Sequence, residues 1–205
     1  MNTGREKNSF MPGAEQMTDI KERTVALNLP NALSLLRLVA IPVVMVCLLF
    51  PGKAWSFLAA FFLTIAFITD MLDGYFARKY KKVTALGKLL DPMADKILVS
   101  MTLIMLIALA RVPAWMVVVI VAREIAVTGL RSAAVNEGIV IQAGTLGKYK
   151  TAFQAVATIA LCLHYEYFGV NFHTTGIFLL WLALILTLVS GWGYFKAFYK
   201  VFFPE

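Results

Sequence analysis

Residues 70–96, DMLDGYFARKYKKVTALGKLLDPMADK, decide how this chain folds. Asp70 and Asp73 are three positions apart and Asp91 and Asp95 are four apart, so a helix would place each pair on one face. Both pairs border long apolar runs, and a charged group at membrane depth is costly and by default functional. Four carboxylates repel each other unless a cation lies among them. Their oxygens favour one or two ions of Mg²⁺, Mn²⁺ or Ca²⁺ over zinc.

The same segment has the spacing D-x2-D-G-x2-A-R-x8-G-x3-D-x3-D. This spacing resembles the signature of the CDP-alcohol phosphotransferase family. Members of that family transfer a phosphatidyl-type group from a CDP-linked lipid to an alcohol and release CMP. Every signature position is filled, by Asp70, Asp73, Gly74, Ala77, Arg78, Gly87, Asp91 and Asp95.

The resemblance implies a role for each aspartate. Asp70, Asp73 and Asp91 are expected to be ligands of two Mg²⁺ or Mn²⁺ ions. Asp95 is implied to be the catalytic base that takes the proton of the attacking hydroxyl, and it also counts among the expected metal ligands. General base catalysis needs that carboxylate within hydrogen-bond reach of the hydroxyl. The family resemblance also implies a homodimer.

A second set of residues is expected to bind the CDP-lipid. The small signature residues let a nucleotide approach the backbone closely, and the arginine offers a planar fork for phosphate oxygens. Family members also resemble this chain in having an Asn and a Ser or Thr early in the first span, near the diphosphate. The expected CDP-lipid site is therefore Asn31, Ser34, Gly74, Ala77, Arg78 and Gly87.

The composition is that of an integral membrane protein. Of 205 residues, 60% are hydrophobic and 15% are charged, and the mean hydropathy is +0.76. Soluble domains average about 45–50% apolar and about 25% charged residues. The two cysteines, Cys47 and Cys162, lie in apolar segments without a C-x-x-C pair, so we expect them to be apolar fillers. No Ser-His-Asp, P-loop or zinc motif is present, and we expect no nucleic-acid partner.

The apolar pattern predicts an all-α protein with six transmembrane helices. The expected spans are about 30–50, 54–80, 85–110, 114–135, 147–163 and 176–195. They form one membrane domain over residues 28–205. Residues 1–27 are polar and are expected to be a tail or a helix lying on the membrane surface.

The distribution of positive charge predicts the orientation of these spans. Six spans place both termini on one side, and of the 19 Lys and Arg only Lys53 and Arg111 fall on the other side. The positive-inside rule then makes the termini and the active site cytoplasmic, in a bacterial cytoplasmic membrane. That placement suits a reaction between a membrane lipid and a water-soluble partner.

Two further segments indicate the acceptor alcohol. AREIAVTGLR (122–131) and GKYKT (147–151) resemble segments of the family branch that uses sn-glycerol 3-phosphate. That branch makes phosphatidylglycerophosphate and CMP from CDP-diacylglycerol. A cluster of cations suits a phosphorylated acceptor, so the expected acceptor phosphate site is Arg123, Arg131, Lys148 and Lys150.

Other interpretations stay open. The acceptor could be inositol phosphate, serine or phosphatidylglycerol within the same family. A cation transporter could also use intramembrane aspartates. A transporter would not require Gly74, Ala77, Arg78 and Gly87 at these offsets.

Overall fold

Six helices and one short hairpin make up the computed structural model, which describes residues 29–80, 85–136 and 145–202. The helices are α1 (Leu29–Leu49), α2 (Lys53–Tyr80), α3 (Ala85–Ala108), α4 (Ala114–Asn136), α5 (Thr145–Leu163) and α6 (Phe172–Phe202). Between α5 and α6, β1 (Glu166–Tyr167) pairs antiparallel with β2 (Val170–Asn171). The described chain is helical as the sequence predicts, with this hairpin as the exception. The expected tail at 1–27 lies outside the described residues.

The helices end where the sequence contains turn residues or a left-handed backbone. Pro51 and Gly52 separate α1 from α2, and Gly52 has a φ of 125°. Ala110 follows α3 with a φ of 54°, and the next amide, that of Arg111, donates to the carbonyl of Leu106 at 2.9 Å. This bond pattern satisfies carbonyls that a helix end otherwise leaves without partners.

The bundle packs around a continuous apolar core. Helix α5 packs most extensively against α6, α1 packs against both α2 and α3, and α4 packs against α3 and α6. Helices α2 and α3 also both contact α5. At the start of α6, a Cβ added to Gly176 would lie 2.7 Å from Leu161 Cγ, so only glycine permits this approach of α6 to α5. The fully buried core side chains include Leu63, Leu98, Leu103, Leu106, Met116, Ile120, Leu161 and Leu180.

The outer surface of the bundle is apolar. Large hydrophobic side chains such as Val118, Ile125, Phe178 and Ile185 are exposed. Soluble monomers rarely expose such extensive apolar surface. Within the described ranges, one segment, Phe172–Lys196, is long and apolar enough to cross a membrane by length and composition. Shorter apolar helical stretches are Val39–Leu49, Lys53–Thr69 and Lys96–Ala108. A membrane-associated helical protein agrees with these observations, and the count of six spans stays a prediction.

One end of the bundle is tied together by Arg111. Its side chain is only 7% exposed. Nη1 donates to the carbonyl of Cys162 at 2.8 Å, and Nη2 donates to Ser56 Oγ at 3.0 Å. The hairpin lies at the same end, where Tyr167 Oη donates to the carbonyl of Lys53 at 3.0 Å. Lys53 and Arg111 therefore lie at a common end, as the charge pattern predicts.

Candidate active site

The four signature aspartates lie on α2 and α3. Asp70 and Asp73 belong to the second half of α2, and Asp91 and Asp95 belong to the first half of α3. Because α2 ends and α3 begins at the same end of the bundle, both pairs are brought to that end. The side chains of all eight signature residues, and those of Asn31 and Ser34 on α1, lie outside the described part of the structure.

Helical register relates the aspartates to described side chains. Asp70 is one turn after Ala66, which is buried in the core. Asp95 is one turn before Val99, which lines a cavity of about 30 Å³ together with Glu124. The residue expected to be the base is therefore one helical turn along α3 from the lining of this cavity.

The expected metal ligands form an all-carboxylate set. Such a set, without Cys or His, fits Mg²⁺ or Mn²⁺. Among the side chains that the structure describes, no group of three or more His, Cys, Asp or Glu could hold a metal ion. The metal site over Asp70, Asp73, Asp91 and Asp95 stays a prediction.

A basic cavity of about 490 Å³ lies between α3, α4, α5 and α6. Glu124 is the only carboxylate among the described residues that line this cavity. Thr128 and Tyr194 also line it. All four cations that the sequence assigns to the acceptor phosphate line this one cavity, and Lys96, which directly follows Asp95, joins them. The basic lining residues are Lys96, Arg123, Arg131, Lys148 and Lys150.

Glu124 holds two of the five cations. Arg123 Nη1 donates to Glu124 Oε2 at 3.1 Å, and Lys150 Nζ forms an ion pair with the same oxygen. Lys150 is only 4% exposed. A buried cation without a partner is costly, so the Glu124 carboxylate allows Lys150 to be buried at the α4–α5 contact. Lys150 therefore lines the cavity as an ion-paired group.

Lys96 connects α3, which contains the second half of the signature, to α4. Its Nζ donates to Thr128 Oγ1 at 2.6 Å, and Thr128 Oγ1 donates to the carbonyl of Glu124 at 2.7 Å. Since Lys96 is the residue after Asp95, this contact fixes α3 against α4 next to the expected base. The cavity thus borders the signature.

Arg123 is also held by α6. Its Nη2 donates to Ser190 Oγ at 2.7 Å. A Cβ added to Gly191 would lie 3.1 Å from Arg123 Nε and 3.2 Å from its Cγ. The arginine stem therefore lies against the glycine backbone of α6, and its head group is fixed by a hydroxyl and a carboxylate.

Arg131 and Lys148 are the accessible cations of the cavity. Both side chains are exposed. Neither forms an ion pair with a carboxylate in the described ranges. They are the cavity cations most open to an anionic ligand, whereas Lys150 is buried and Arg123 is held partly by Glu124 and Ser190.

The residues of this site that the sequence prediction left out include Lys96, Glu124, Ser190 and Tyr194. Lys96 could have been found from its place beside Asp95, and Glu124 from being a carboxylate inside an apolar span. Ser190 and Tyr194 carry no such signal, because uncharged polar residues are common near the end of a membrane helix. Their contacts follow from the packing of α6 against α4.

The family model described as CDP-alcohol phosphatidyltransferase matches residues 27–189. This match covers most of the chain, including the signature helices and the four predicted cations. The chain belongs to the CDP-alcohol phosphatidyltransferase family.

Relatives of known name agree with this assignment. The chain is 44% identical over 182 residues to a CDP-diacylglycerol–glycerol-3-phosphate 3-phosphatidyltransferase of Bacillus subtilis, covering 82% of this chain and 94% of the relative. A protein of the same name from Rickettsia bellii is 39% identical over 176 residues, covering 85% and 97%. A probable phosphatidylglycerophosphate synthase of Mycobacterium tuberculosis is 38% identical over 175 residues, covering 82% and 79%.

Proposed function

We propose that this protein transfers the phosphatidyl group of CDP-diacylglycerol to sn-glycerol 3-phosphate, giving phosphatidylglycerophosphate and CMP. The observation that carries the proposal is the basic cavity, in which the cations of α3, α4 and α5 lie together directly beside the signature. A phosphorylated acceptor bound there would have its hydroxyl near the segment expected to hold the CDP-lipid. The names of the relatives support the same pair of substrates.

The proposed reaction is a substitution at phosphorus. The acceptor hydroxyl attacks the phosphorus that carries the diacylglycerol, and the bond from that phosphorus to the bridging oxygen breaks. CMP leaves with the electron pair of that bond, and Asp95 accepts the hydroxyl proton. Divalent cations held by Asp70, Asp73 and Asp91 would neutralise charge on the diphosphate oxygens. Arg131 and Lys148, with Arg123 beside them in the cavity, bind the acceptor phosphate by charge-assisted hydrogen bonds.

We also propose the setting of the reaction. The six helices cross the bacterial cytoplasmic membrane, with both termini and the basic cavity on the cytoplasmic side, and two copies of the chain form a homodimer. The apolar outer surface and the concentration of cations at one end of the bundle support this orientation. Membrane lipids then surround the bundle, and the CDP-lipid reaches the site by lateral diffusion within the membrane.

The activity is tested with purified protein in detergent. We expect CMP release from CDP-diacylglycerol when sn-glycerol 3-phosphate is added, and much slower release with serine, inositol phosphate or phosphatidylglycerol. The mass of the lipid product, which must equal a phosphatidyl group joined to glycerol phosphate, identifies the acceptor. Equal or faster turnover with another alcohol would replace glycerol 3-phosphate as the acceptor. Absence of CMP release with all of them would reject the transferase reaction.

The metal site and the base are tested separately. Chelation with EDTA should abolish turnover, and excess Mg²⁺ or Mn²⁺ should restore it. Asp95→Asn should lower kcat about 10²- to 10⁴-fold, the usual range for general base catalysis, while CDP-lipid binding changes little. Glu166→Gln, on the distant hairpin, is the matched loss of one carboxylate and should behave like the unchanged protein. Full turnover in EDTA, or by Asp95→Asn, would contradict these assignments.

A further inference from the structure

The ring of Tyr194 on α6 lies against two guanidinium groups of α4. The Arg123 Cζ atom is 5.9 Å from the ring centroid, and the Arg131 Cζ atom is 5.4 Å from it. Both distances are within the range in which a cation is attracted to the face of an aromatic ring. Tyr194 is half-buried and lines the basic cavity with both arginines. One ring therefore contacts the two arginines that the sequence assigns to the acceptor.

The two arginines differ in how their other contacts hold them. Arg123 is already fixed by Glu124 and Ser190. Arg131 is exposed and forms no ion pair with any carboxylate that the structure describes, so its long side chain would otherwise sample many rotamers. The ring of Tyr194 gives Arg131 a surface to rest on. The same ring also lies beside Arg123. The positive charges of Arg123 and Arg131 are therefore held near one another before an anion binds.

The same part of α6 supplies two further contacts to Arg123. Ser190 accepts a hydrogen bond from its Nη2, and Gly191 leaves room for its stem. These residues and Tyr194 are within five positions of one another, so one and a half helical turns of α6 form a wall of the arginine site. The family model ends at residue 189, just before this wall.

We infer that Tyr194 is a positioning residue that holds Arg123 and Arg131 as a paired clamp for the phosphate of the acceptor. This inference rests on the proposed function, because it assigns a role in acceptor binding to that same site. A preformed pair of guanidinium groups binds a dianion with less loss of side-chain entropy than two mobile groups do. The clamp favours phosphorylated alcohols over uncharged ones.

The test compares Tyr194→Leu, Tyr194→Phe and Trp192→Leu. Leucine removes the ring, and phenylalanine keeps it without the hydroxyl. Trp192 is the matched control, because it lies in the same turn of α6 and contacts Lys196 at 5.7 Å but does not line the cavity. For Tyr194→Leu we expect the KM for glycerol 3-phosphate to rise about 3- to 30-fold. This range corresponds to the usual free energy of cation–π contacts. The KM for CDP-diacylglycerol should stay nearly constant.

The variants also separate positioning from a general loss of structure. Tyr194→Phe and Trp192→Leu should both keep the acceptor KM of the unchanged protein. All three variants should have similar thermal unfolding midpoints. An unchanged acceptor KM in Tyr194→Leu would overturn the inference. A KM in Tyr194→Phe as high as that in Tyr194→Leu would also overturn it, since the hydroxyl and not the ring would then matter.

A binding measurement keeps this test independent of the reaction. Intrinsic tryptophan fluorescence can follow titration with glycerol 3-phosphate and with inorganic phosphate. Phosphate binding that Tyr194→Leu weakens and Tyr194→Phe retains would support the clamp even if CMP release requires another phosphorylated alcohol. Absence of phosphate binding to the unchanged protein would overturn the clamp. Absence of CMP release alongside normal phosphate binding would reject only the proposed reaction.

Discussion

Arg123 is the most constrained cation of the basic cavity. It contacts Glu124, Ser190 and the backbone of Gly191. Its Nε is buried and has no hydrogen-bond partner among the described residues. A buried donor without a partner is costly, so holding Arg123 against α6 carries a free-energy cost. The position of Arg123 therefore depends on a glycine that leaves room for its stem.

Gly191→Ala should disturb Arg123, whereas Gly193→Ala should not. A Cβ at 191 would lie 3.1 Å from Arg123 Nε, and a Cβ at 193 would meet nothing within 4 Å. The flexible stem of Arg123 can move by a few tenths of an ångström, so we expect folding to persist and the acceptor KM to rise several-fold. Steady-state kinetics of both variants measure this. Equal acceptor KM values for the two variants would show that the stem is not fixed by α6.

At the scale of helices, the end of α5 is stabilised by a residue from another segment. Arg111, in the turn between α3 and α4, donates to the carbonyls of Leu161 and Cys162, which the helix leaves without intrahelical partners. The same guanidinium reaches Ser56 on α2. One side chain thus joins α2, α5 and the α3–α4 turn at the end opposite the basic cavity.

Arg111→Met should lower stability without changing catalysis. Hydrogen bonds from a charged group are worth about 1.5–3 kcal/mol, and the buried carbonyls of Leu161 and Cys162 would lose a donor. Thermal unfolding in detergent should show a lower midpoint, while kcat per folded molecule stays constant. Lys53→Met removes one positive charge at the same end from an exposed side chain, so its midpoint should change much less. Equal midpoints for the two variants would contradict the role of Arg111.

At the scale of the whole molecule, the sequence predicted the helices better than the contacts between them. The expected spans 54–80 and 114–135 agree closely with α2 and α4, because Pro51-Gly52 and the turn at Pro113 mark their starts. Helix α6 begins four residues before the expected span and continues past it, since the sequence predicts a polar loop over residues 166–175 and ends the span before Lys196. The helix itself includes polar residues at both ends.

Two features could not be predicted from sequence periodicity. The hairpin has strands of only two residues, joined by Phe168 and Gly169 with φ values of 53° and 77°, so no alternating pattern exists to detect. The pairing of Lys150 with Glu124 depends on which side chains of α4 and α5 face the shared cavity. The sequence could place four cations at one membrane level but could not tell which two would be accessible.

The orientation of the molecule is testable by cysteine labelling. Phe168 is fully exposed at the hairpin, and Tyr149 is exposed near the start of α5 at the other end. Both native cysteines are buried and give little background. In intact cells, a membrane-impermeant maleimide should label Phe168→Cys at once and Tyr149→Cys only after the membrane is opened. The reverse pattern would place the basic cavity outside the cell.

The basic cavity also has a consequence for how quickly the acceptor is captured. Five cations and one described carboxylate surround a single opening, so their summed field raises the local concentration of a dianion at the mouth before any contact forms. Such attraction is screened over about 8 Å at physiological ionic strength. We expect kcat/KM for glycerol 3-phosphate to fall steeply as KCl increases at a fixed detergent-to-lipid ratio, and to fall less in Lys148→Gln. The enzyme would then respond to the ionic strength of the surrounding water through one of its two substrates, the one that arrives from water.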